Sequence, residues 1–248
     1  MKKYKVVMLD LFDTVIDFNR SHLTVVNADG GEVRSTSVDV YKVFKRFYNN
    51  VAFDEFYRAF IESFTEFNNI KRVENKEFHN RERFKIMLYM MNIELNSHSN
   101  QIIEEMVSVH MKGLASATEF PEENRSTLDI LRNKSYRLAI ISNFDHAPTA
   151  YGLLEKFGIE NYFEKILISV EIGWRKPKAD IFLRAFDLLK IRSNDAIFVG
   201  DNFDTDVLGS KAVGMDVIWI NKNFEEIKEG TSGPDHIVSN LPEIKEIL

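Results

Sequence analysis

MLDLFDTVIDF, residues 8–18, is the stretch that decides the fold. An apolar run over residues 4–9 predicts a buried strand, and Asp10 stands where that strand ends. Asp13 and Thr14 follow within one short turn. Because a buried carboxylate is unfavourable unless something uses its charge, we expect Asp10 to take part in chemistry.

The C-terminal half of the chain predicts a parallel sheet. Four short apolar runs have the length and composition of buried strands: RLAII (137–141), KILIS (165–169), AIFV (196–199) and DVIWI (216–220). Between these strands lie segments with apolar residues at helical spacing, 147–157, 179–189 and 205–213. Strands that alternate with helices predict right-handed βαβ units and an α/β fold. We expect residues 235–238 to add an edge strand and residues 242–248 to form a short closing helix.

Residues 38–116 have a different pattern, with no strand among them. Their helical segments are 38–48, 53–67, 77–91 and 99–116, rich in phenylalanine and methionine. This block predicts a separate small helical bundle inserted between the first two strands of the sheet. Between Asp10 and the bundle, β-rich arms within residues 23–36 flank Asp29-Gly30-Gly31, which is a hairpin signal.

The composition excludes several classes of function. A net charge of −6 and a pI near 5.6 provide no basic surface for nucleic acid or for an anionic membrane. The chain has no cysteine, which rules out disulfides, cysteine-bound zinc and thiol nucleophiles. The first apolar run is too short and too close to acids for a signal peptide. We expect a cytoplasmic protein with neither a nucleic-acid nor a membrane partner; its oligomeric state stays open.

Polar residues follow the predicted strands, where an open parallel sheet has its functional crevice. They are Asp10 and Thr14, Ser142 and Asn143, Lys176 in a loop before a helix, and Asp201 and Asp206. An aspartate can attack phosphorus and form an aspartyl phosphate, and carboxylate oxygens suit Mg²⁺. Lysine and hydroxyl groups can hold the transferring oxygens. The set therefore indicates phosphoryl transfer.

Four motifs in order, DxxxT (10–14), IISN (140–143), RKP (175–177) and VGDNxxxD (199–206), resemble those of the haloacid dehalogenase superfamily. The resemblance implies a Rossmann-like core of residues 1–17 and 117–248, a flap hairpin over 18–37 and a helical cap over 38–116. It also implies that the protein is a hydrolase that uses Mg²⁺ and acts on a small phosphorylated molecule or a halogenated acid.

The resemblance assigns roles to single residues. Asp10 is the nucleophile and a magnesium ligand, and Lys176 orients it. The other expected metal ligands are the backbone carbonyl of Phe12, Asp201 and Asp206, and the expected substrate-binding residues are Thr14, Ser142 and Asn143. Arg34, in the segment that the family uses as a flap, could bind a substrate carboxylate or phosphate, and a solvated hairpin arginine is an equal alternative.

Phe12 departs from the family pattern. Family phosphatases usually have an aspartate at this position, which protonates the leaving oxygen and later activates the hydrolytic water, and phenylalanine can do neither. Such a group typically contributes about 10²- to 10⁴-fold in rate, so alkyl phosphates should suffer most. Family dehalogenases also lack this aspartate, but the paired acids Asp201 and Asp206 favour a metal-dependent phosphatase. The alternatives are a 2-haloacid dehalogenase and a weakly active phosphate-binding protein.

Overall fold

The computed structural model describes residues 4–28, 31–227 and 230–248. The chain divides into two compact units. We call Met1–Phe18 with Glu119–Leu248 the sheet unit, and Asn19–Thr118 the helical unit. Each is described by itself.

The described residues form strands, α-helices and shorter helical turns. The strands are β1 Val6–Leu9, β2 Asp17–Phe18, β3 Val25–Ala28, β4 Gly31–Arg34, β5 Thr118–Glu119, β6 Arg137–Ser142, β7 Lys165–Ile168, β8 Ala196–Gly200, β9 Asp216–Ile220 and β10 His236–Val238. The α-helices are α1 Ser37–Lys45, α2 Phe53–Glu74, α3 Arg81–Met90, α4 Ser97–Ser116, α5 Glu122–Asn133, α6 Ala147–Lys156, α7 Ser169–Ile172, α8 Ala179–Leu189 and α9 Leu208–Ala212. The 3-10 helices are Arg20–His22, Glu160–Tyr162, Ser193–Asp195 and Leu241–Glu246, and Phe203–Val207 is a π-helical turn.

The sheet unit is built on six strands in the order β10-β9-β8-β1-β6-β7. Every neighbouring pair is parallel. The central strand β1 places Leu9 opposite Ile140 of β6 and Val199 of β8. The segments that follow β1, β6 and β8 therefore leave the sheet at the same edge. This architecture confirms the predicted α/β class with a Rossmann-like core.

Burial explains why these segments form strands of a covered sheet. All four residues of β1 are buried, as are all five of β8. A strand covered on both faces has a continuous apolar sequence rather than an alternating one. Helix α8 contributes Phe182, whose ring lies 5.6 Å from that of Phe198 in an edge-on contact. Burying one such side chain stabilises the fold by about 1.5–3 kcal/mol.

The predicted strands are confirmed with small shifts at their ends, and the largest differences concern helices. Helix α5 was not predicted, because the face that it buries includes Asn124 and Thr127 beside Leu128 and Leu131. The predicted helix over 205–213 is a π-helical turn followed by α9. The closing segment is a 3-10 helix rather than an α-helix.

The helical unit contains the predicted hairpin and four helices, α1 to α4. Strands β3 and β4 are antiparallel, and the predicted turn residues Asp29 and Gly30 lie outside the described residues. Helix α2 extends to Glu74, beyond the expected end, and its buried Lys71 pairs with Glu77 at 3.0 Å. Within the described ranges, no helix is long and apolar enough to cross a membrane.

Candidate active site

The turn after β1 places Asp10 at the carboxyl edge of the sheet. The Asp10 backbone N–H donates to Val199 O at 2.9 Å, which continues the pairing with β8 by one residue. The chain then reverses through Asp13, which has a left-handed φ of 56°. Its Oδ1 accepts from the Phe18 N–H at 3.3 Å, so Asp13 stabilises the turn.

Lys176 lies between two of the predicted acids. Its Nζ is 2.9 Å from Asp10 Oδ1 and 2.7 Å from Asp206 Oδ1, and its side chain is only 1% exposed. Burial opposes the charged form of the lysine. The neighbouring Asp10 and Asp206 carboxylates outweigh burial and hold the pKa of Lys176 above its ordinary value. Lys176 is therefore a fixed positive charge beside Asp10.

Three carboxylates converge beside this lysine. One oxygen from each of Asp10, Asp201 and Asp206 lies within 4.8 Å of the others. Burial raises the pKa of Asp10 to about 6, with Asp206 adding to the shift and Lys176 opposing it. Burial, followed by the charges of Asp10 and Asp206, raises the pKa of Asp201 to about 7. One ammonium group leaves part of the carboxylate charge unbalanced, and a hard divalent cation such as Mg²⁺ suits this donor set.

The end of β8 is shaped to bring Asp206 close to the sheet. A Cβ at Gly200 would lie 2.6 Å from Asp206 Cγ, so any larger residue would displace the carboxylate. Asp206 Oδ2 accepts from the Asn202 N–H at 3.1 Å, and Oδ1 accepts from Thr205 Oγ1 at 3.2 Å. The glycine and the tight turn together fix the direction of the buried acid.

Two buried hydroxyl groups near the same edge are available to a ligand. Thr14 follows β1 by a few residues, and Ser142 ends β6 two positions beyond Ile140, the partner of Leu9. Among the described residues, neither Thr14 Oγ1 nor Ser142 Oγ has a hydrogen-bond partner. An unsatisfied buried donor typically costs about 1–3 kcal/mol, so a ligand oxygen at these groups would be favoured.

Asn143 has its side-chain amide bonded within the protein. Its Oδ1 accepts from the Lys176 N–H at 2.8 Å, and its Nδ2 donates to Lys176 O at 2.9 Å. The predicted contact of Asn143 with substrate stays a prediction. In this geometry the side chain holds the loop that carries the lysine.

Residues 35–220 match the family model described as haloacid dehalogenase-like hydrolase. The chain belongs to this family of hydrolases. The matched segment contains Ser142, Lys176, Asp201 and Asp206 and begins after Asp10. Full-length similarity to a relative extends the family likeness through the strand that carries Asp10.

The relatives of this haloacid dehalogenase-like hydrolase include enzymes named for two reactions. It is 26% identical to glyceraldehyde 3-phosphate phosphatase of Pyrococcus furiosus, over 100% of this chain and 94% of that one. It is 30% identical to (S)-2-haloacid dehalogenase 2 of a Pseudomonas species, over 51% of this chain and 54% of that one. The crystal structure of 2-haloacid dehalogenase from Pseudomonas syringae pv. Tomato has a TM-score of 0.69 at 21% identity, covering 98% of this chain and 97% of that one. The last likeness shows the shared fold.

In this haloacid dehalogenase-like hydrolase, Phe12, two residues after Asp10, forms an apolar wall with Phe144. The half-buried Phe12 packs against Phe144, with ring centroids 4.7 Å apart and planes tilted by 46°. Phe144 follows β6, and sequence reasoning had not singled it out, although it comes directly after the IISN motif. The expected role of the Phe12 carbonyl as a metal ligand stays a prediction.

Arg34 is the predicted site residue that belongs to the helical unit. It ends β4, and its NH1 donates to Ser21 O at 2.6 Å and to Leu23 O at 2.9 Å. These bonds tie the hairpin to the segment that precedes it. The role of Arg34 in substrate binding stays a prediction.

Proposed function

We propose that this hydrolase is a Mg²⁺-dependent phosphatase that forms an aspartyl phosphate on Asp10. The observation that carries the proposal is the convergence of Asp10, Asp201 and Asp206 around the buried Lys176. A nucleophilic carboxylate, a fixed cation and two spare acids are the groups that phosphoryl transfer needs. The full-length likeness to a protein named as a phosphatase supports the same reading.

The residues fit a magnesium ion by their chemistry. Carboxylate oxygens from Asp10, Asp201 and Asp206 lie within 4.8 Å of one another, and burial raises the pKa of two of them. These three side chains would hold the ion together with the backbone carbonyl of Phe12. When bound, Mg²⁺ supplies positive charge against the oxygens of the transferring phosphoryl group.

The protein's own residues then account for the transfer. Asp10 Oδ attacks phosphorus as the bond from phosphorus to the leaving oxygen breaks, and the phosphoryl group moves to the carboxylate. Lys176 balances the charge of the nucleophile, and Thr14 and Ser142 donate to phosphoryl oxygens through their unpartnered hydroxyls. Water then attacks phosphorus as the bond from phosphorus to Asp10 Oδ breaks, and the proton that the water loses passes to solvent. This step releases inorganic phosphate and restores the Asp10 carboxylate.

Phe12 restricts which esters react quickly. Because it carries no proton, the leaving oxygen must depart with its negative charge or take a proton from water. Acyl and aryl phosphates have leaving groups that tolerate this charge, whereas alkyl phosphates do not. The wall formed by Phe12 and Phe144 would also offer an apolar surface to such a leaving group. We infer an activity directed at small phosphorylated molecules with good leaving groups.

The helical unit is proposed to select the substrate, as helical caps do in the family. Arg34 is its candidate anion-binding residue, and the hairpin β3–β4 is the candidate flap. The boundaries inferred from sequence, residues 18–37 for the flap and 38–116 for the cap, belong to the same proposal.

A second candidate is 2-haloacid dehalogenase activity. Two observations favour it: position 12 holds phenylalanine instead of an acid, and the chain is 30% identical to a dehalogenase over about half its length. In that reaction Asp10 would displace halide from carbon and form an ester. The convergence of Asp201 and Asp206 on Asp10 argues against it, because no part of that reaction uses these two acids.

Product release separates the two candidates. The protein is incubated with a panel of aryl, acyl, sugar and alkyl phosphates and with 2-haloacids, with Mg²⁺ or with excess chelator. We expect phosphate release that requires Mg²⁺ and disappears in Asp10→Asn. The matched control Asp13→Asn, in an exposed turn, should retain the activity. Halide release that persists in chelator would establish the dehalogenase and refute the phosphatase.

A further inference from the structure

Two hydrogen bonds join the side chain of Asn143 to the peptide groups of one distant residue. The Lys176 N–H donates to Asn143 Oδ1 at 2.8 Å, and Asn143 Nδ2 donates to Lys176 O at 2.9 Å. Both polar atoms of the amide are therefore used on the same lysine, 33 positions away in the sequence. This pair of bonds fixes the lysine backbone against the end of β6.

Lys176 needs such support because no strand carries it. It lies in the loop between α7 and α8, and α8 begins only at Ala179. A lysine side chain has four rotatable bonds, so the position of Nζ depends on where the backbone is held. In this structure Nζ reaches Asp10 and Asp206 at 2.9 and 2.7 Å.

The residue that holds the lysine is itself firmly placed. Asn143 directly follows Ser142, the last residue of β6, which pairs with Ile168 of β7. The next residue, Phe144, donates its N–H to Ser169 Oγ at 2.9 Å. The same Ser169 hydroxyl donates to Phe144 O at 3.2 Å. Asn143 therefore extends from a rigid segment, as a group that orients another residue must.

We propose that Asn143 is a positioning residue that holds the Lys176 peptide so that Nζ bridges Asp10 and Asp206. The inference rests on the proposed function, since the lysine matters for activity only if Asp10 is the nucleophile. It assigns the amide to the protein rather than to substrate. Loss of the amide should therefore lower kcat and leave KM unchanged.

A double-mutant cycle tests whether Asn143 acts through the lysine. Asn143→Ala should lower kcat for an aryl phosphate by about 10- to 100-fold, because displacing a reacting group by about 1 Å costs rate on that scale. The same substitution in a Lys176→Met background should change the residual rate little, since groups that act as a unit are not additive. Asn143→Asp keeps the acceptor for the Lys176 N–H and should retain an intermediate rate.

A second readout does not depend on activity. Lys176 is 1% exposed, so a small amine-reactive reagent should modify it slowly in the wild type. Asn143→Ala should speed modification of Lys176, measured by mass spectrometry on the peptide that contains it, and Asn143→Asp should do so less. If Asn143→Ala does not fold, the Asn143→Asp comparison carries the test by itself.

Asn221 provides the matched control. Its Nδ2 donates to Glu225 O at 2.9 Å, and its Oδ1 accepts from the Glu225 N–H at 2.8 Å. Asn221→Ala thus removes two bonds of the same kind, in a loop that carries no predicted site residue. It should leave kcat and the labelling of Lys176 at wild-type values.

Three results would overturn the proposal. One is a raised KM with unchanged kcat and unchanged Lys176 labelling, which would place the Asn143 amide on substrate. Another is a loss of kcat on Asn143→Ala that is as large in the Lys176→Met background as in the wild type. The third is an effect of Asn221→Ala on kcat and on Lys176 labelling that equals the effect of Asn143→Ala. A wild type that turns over no phosphate ester would refute the proposed function alone, and the labelling of Lys176 would still decide the role of Asn143.

Discussion

Replacing Lys176 with methionine should show how much the unfolding free energy depends on the one ammonium group that faces the carboxylate cluster. Methionine is apolar and similar in length, so the substitution removes the charge and keeps most of the packing. Lys176 Nζ lies within 2.9 Å of both Asp10 and Asp206. Removing one partner of a buried ion pair typically costs about 3–5 kcal/mol, because the remaining charge is uncompensated. We expect a loss of this size in the unfolding free energy near pH 8 without metal.

Urea unfolding followed by tryptophan fluorescence measures this loss. Both tryptophans of the chain, Trp174 and Trp219, belong to the sheet unit, so the signal reports the unit that carries the site. Lys211→Met is the matched control. Its ion pair with Asp235, at 2.9 Å, has side chains 26% and 31% exposed. A partly exposed pair of this kind is screened by solvent, and we expect it to contribute about 0–1 kcal/mol.

The loss from Lys176→Met should depend on pH. Burial raises the pKa of Asp10 to about 6 and that of Asp201 to about 7, from an ordinary value of 3.8. A carboxyl group whose pKa is raised by folding stabilises the folded state while it is protonated. Its contribution to the unfolding free energy is full below pH 3.8 and disappears as the pH rises through 6 to 7. Near pH 5 the carboxylates of the variant can take up protons, and its stability should approach that of the wild type. A loss as small as that of Lys211→Met, or an equal loss at both pH values, would refute the reasoning.

Three further predictions concern the glycine, the metal and the leaving group. Gly200→Ala should destabilise the protein by about 1–3 kcal/mol through overpacking against Asp206 and should weaken Mg²⁺ binding, checked by urea unfolding and calorimetry. Mg²⁺ at about 100 times its Kd should raise the unfolding free energy by about 2.7 kcal/mol, and its affinity should fall from about pH 8 to about pH 6 as Asp10 and Asp201 take up protons. Phe12→Asp should raise the rate on alkyl phosphates by up to about 10²- to 10⁴-fold and flatten the dependence on leaving-group pKa; equal slopes in the variant and the wild type would contradict this account of Phe12.

The parallel sheet and the set of acids at its edge were predictable from sequence because both depend on local patterns. Residues 4–9 form a short, largely apolar run that favours a covered strand, and Asp10 follows it directly. The edge at which side chains meet then follows from the rule that parallel strands share a carboxyl end. The carboxylates of Asp10, Asp201 and Asp206, separated by nearly two hundred positions, converge for this reason.

The remaining features depend on contacts between distant segments, which no local pattern records. Helix α5 was missed because Asn124 faces inward, where its Nδ2 donates to Val15 O at 3.0 Å. The bonds of Asn143 to Lys176 likewise depend on how one loop lies against the end of β6. In a sequence, an asparagine after a strand has the same appearance whether it contacts a ligand or the protein.

Trapping the intermediate tests the central claim most directly. The protein is mixed with Mg²⁺ and an acyl or aryl phosphate, quenched in acid during the first turnover, digested and examined by mass spectrometry. Because Phe12 cannot activate the hydrolytic water, the covalent intermediate should break down slowly and accumulate. We predict a phosphoryl group on the peptide that contains residues 8–18, located at Asp10 and absent in Asp10→Asn. Phosphate release with no phosphoryl group on that peptide, or an ester on Asp10 formed from a 2-haloacid with release of halide, would contradict the account.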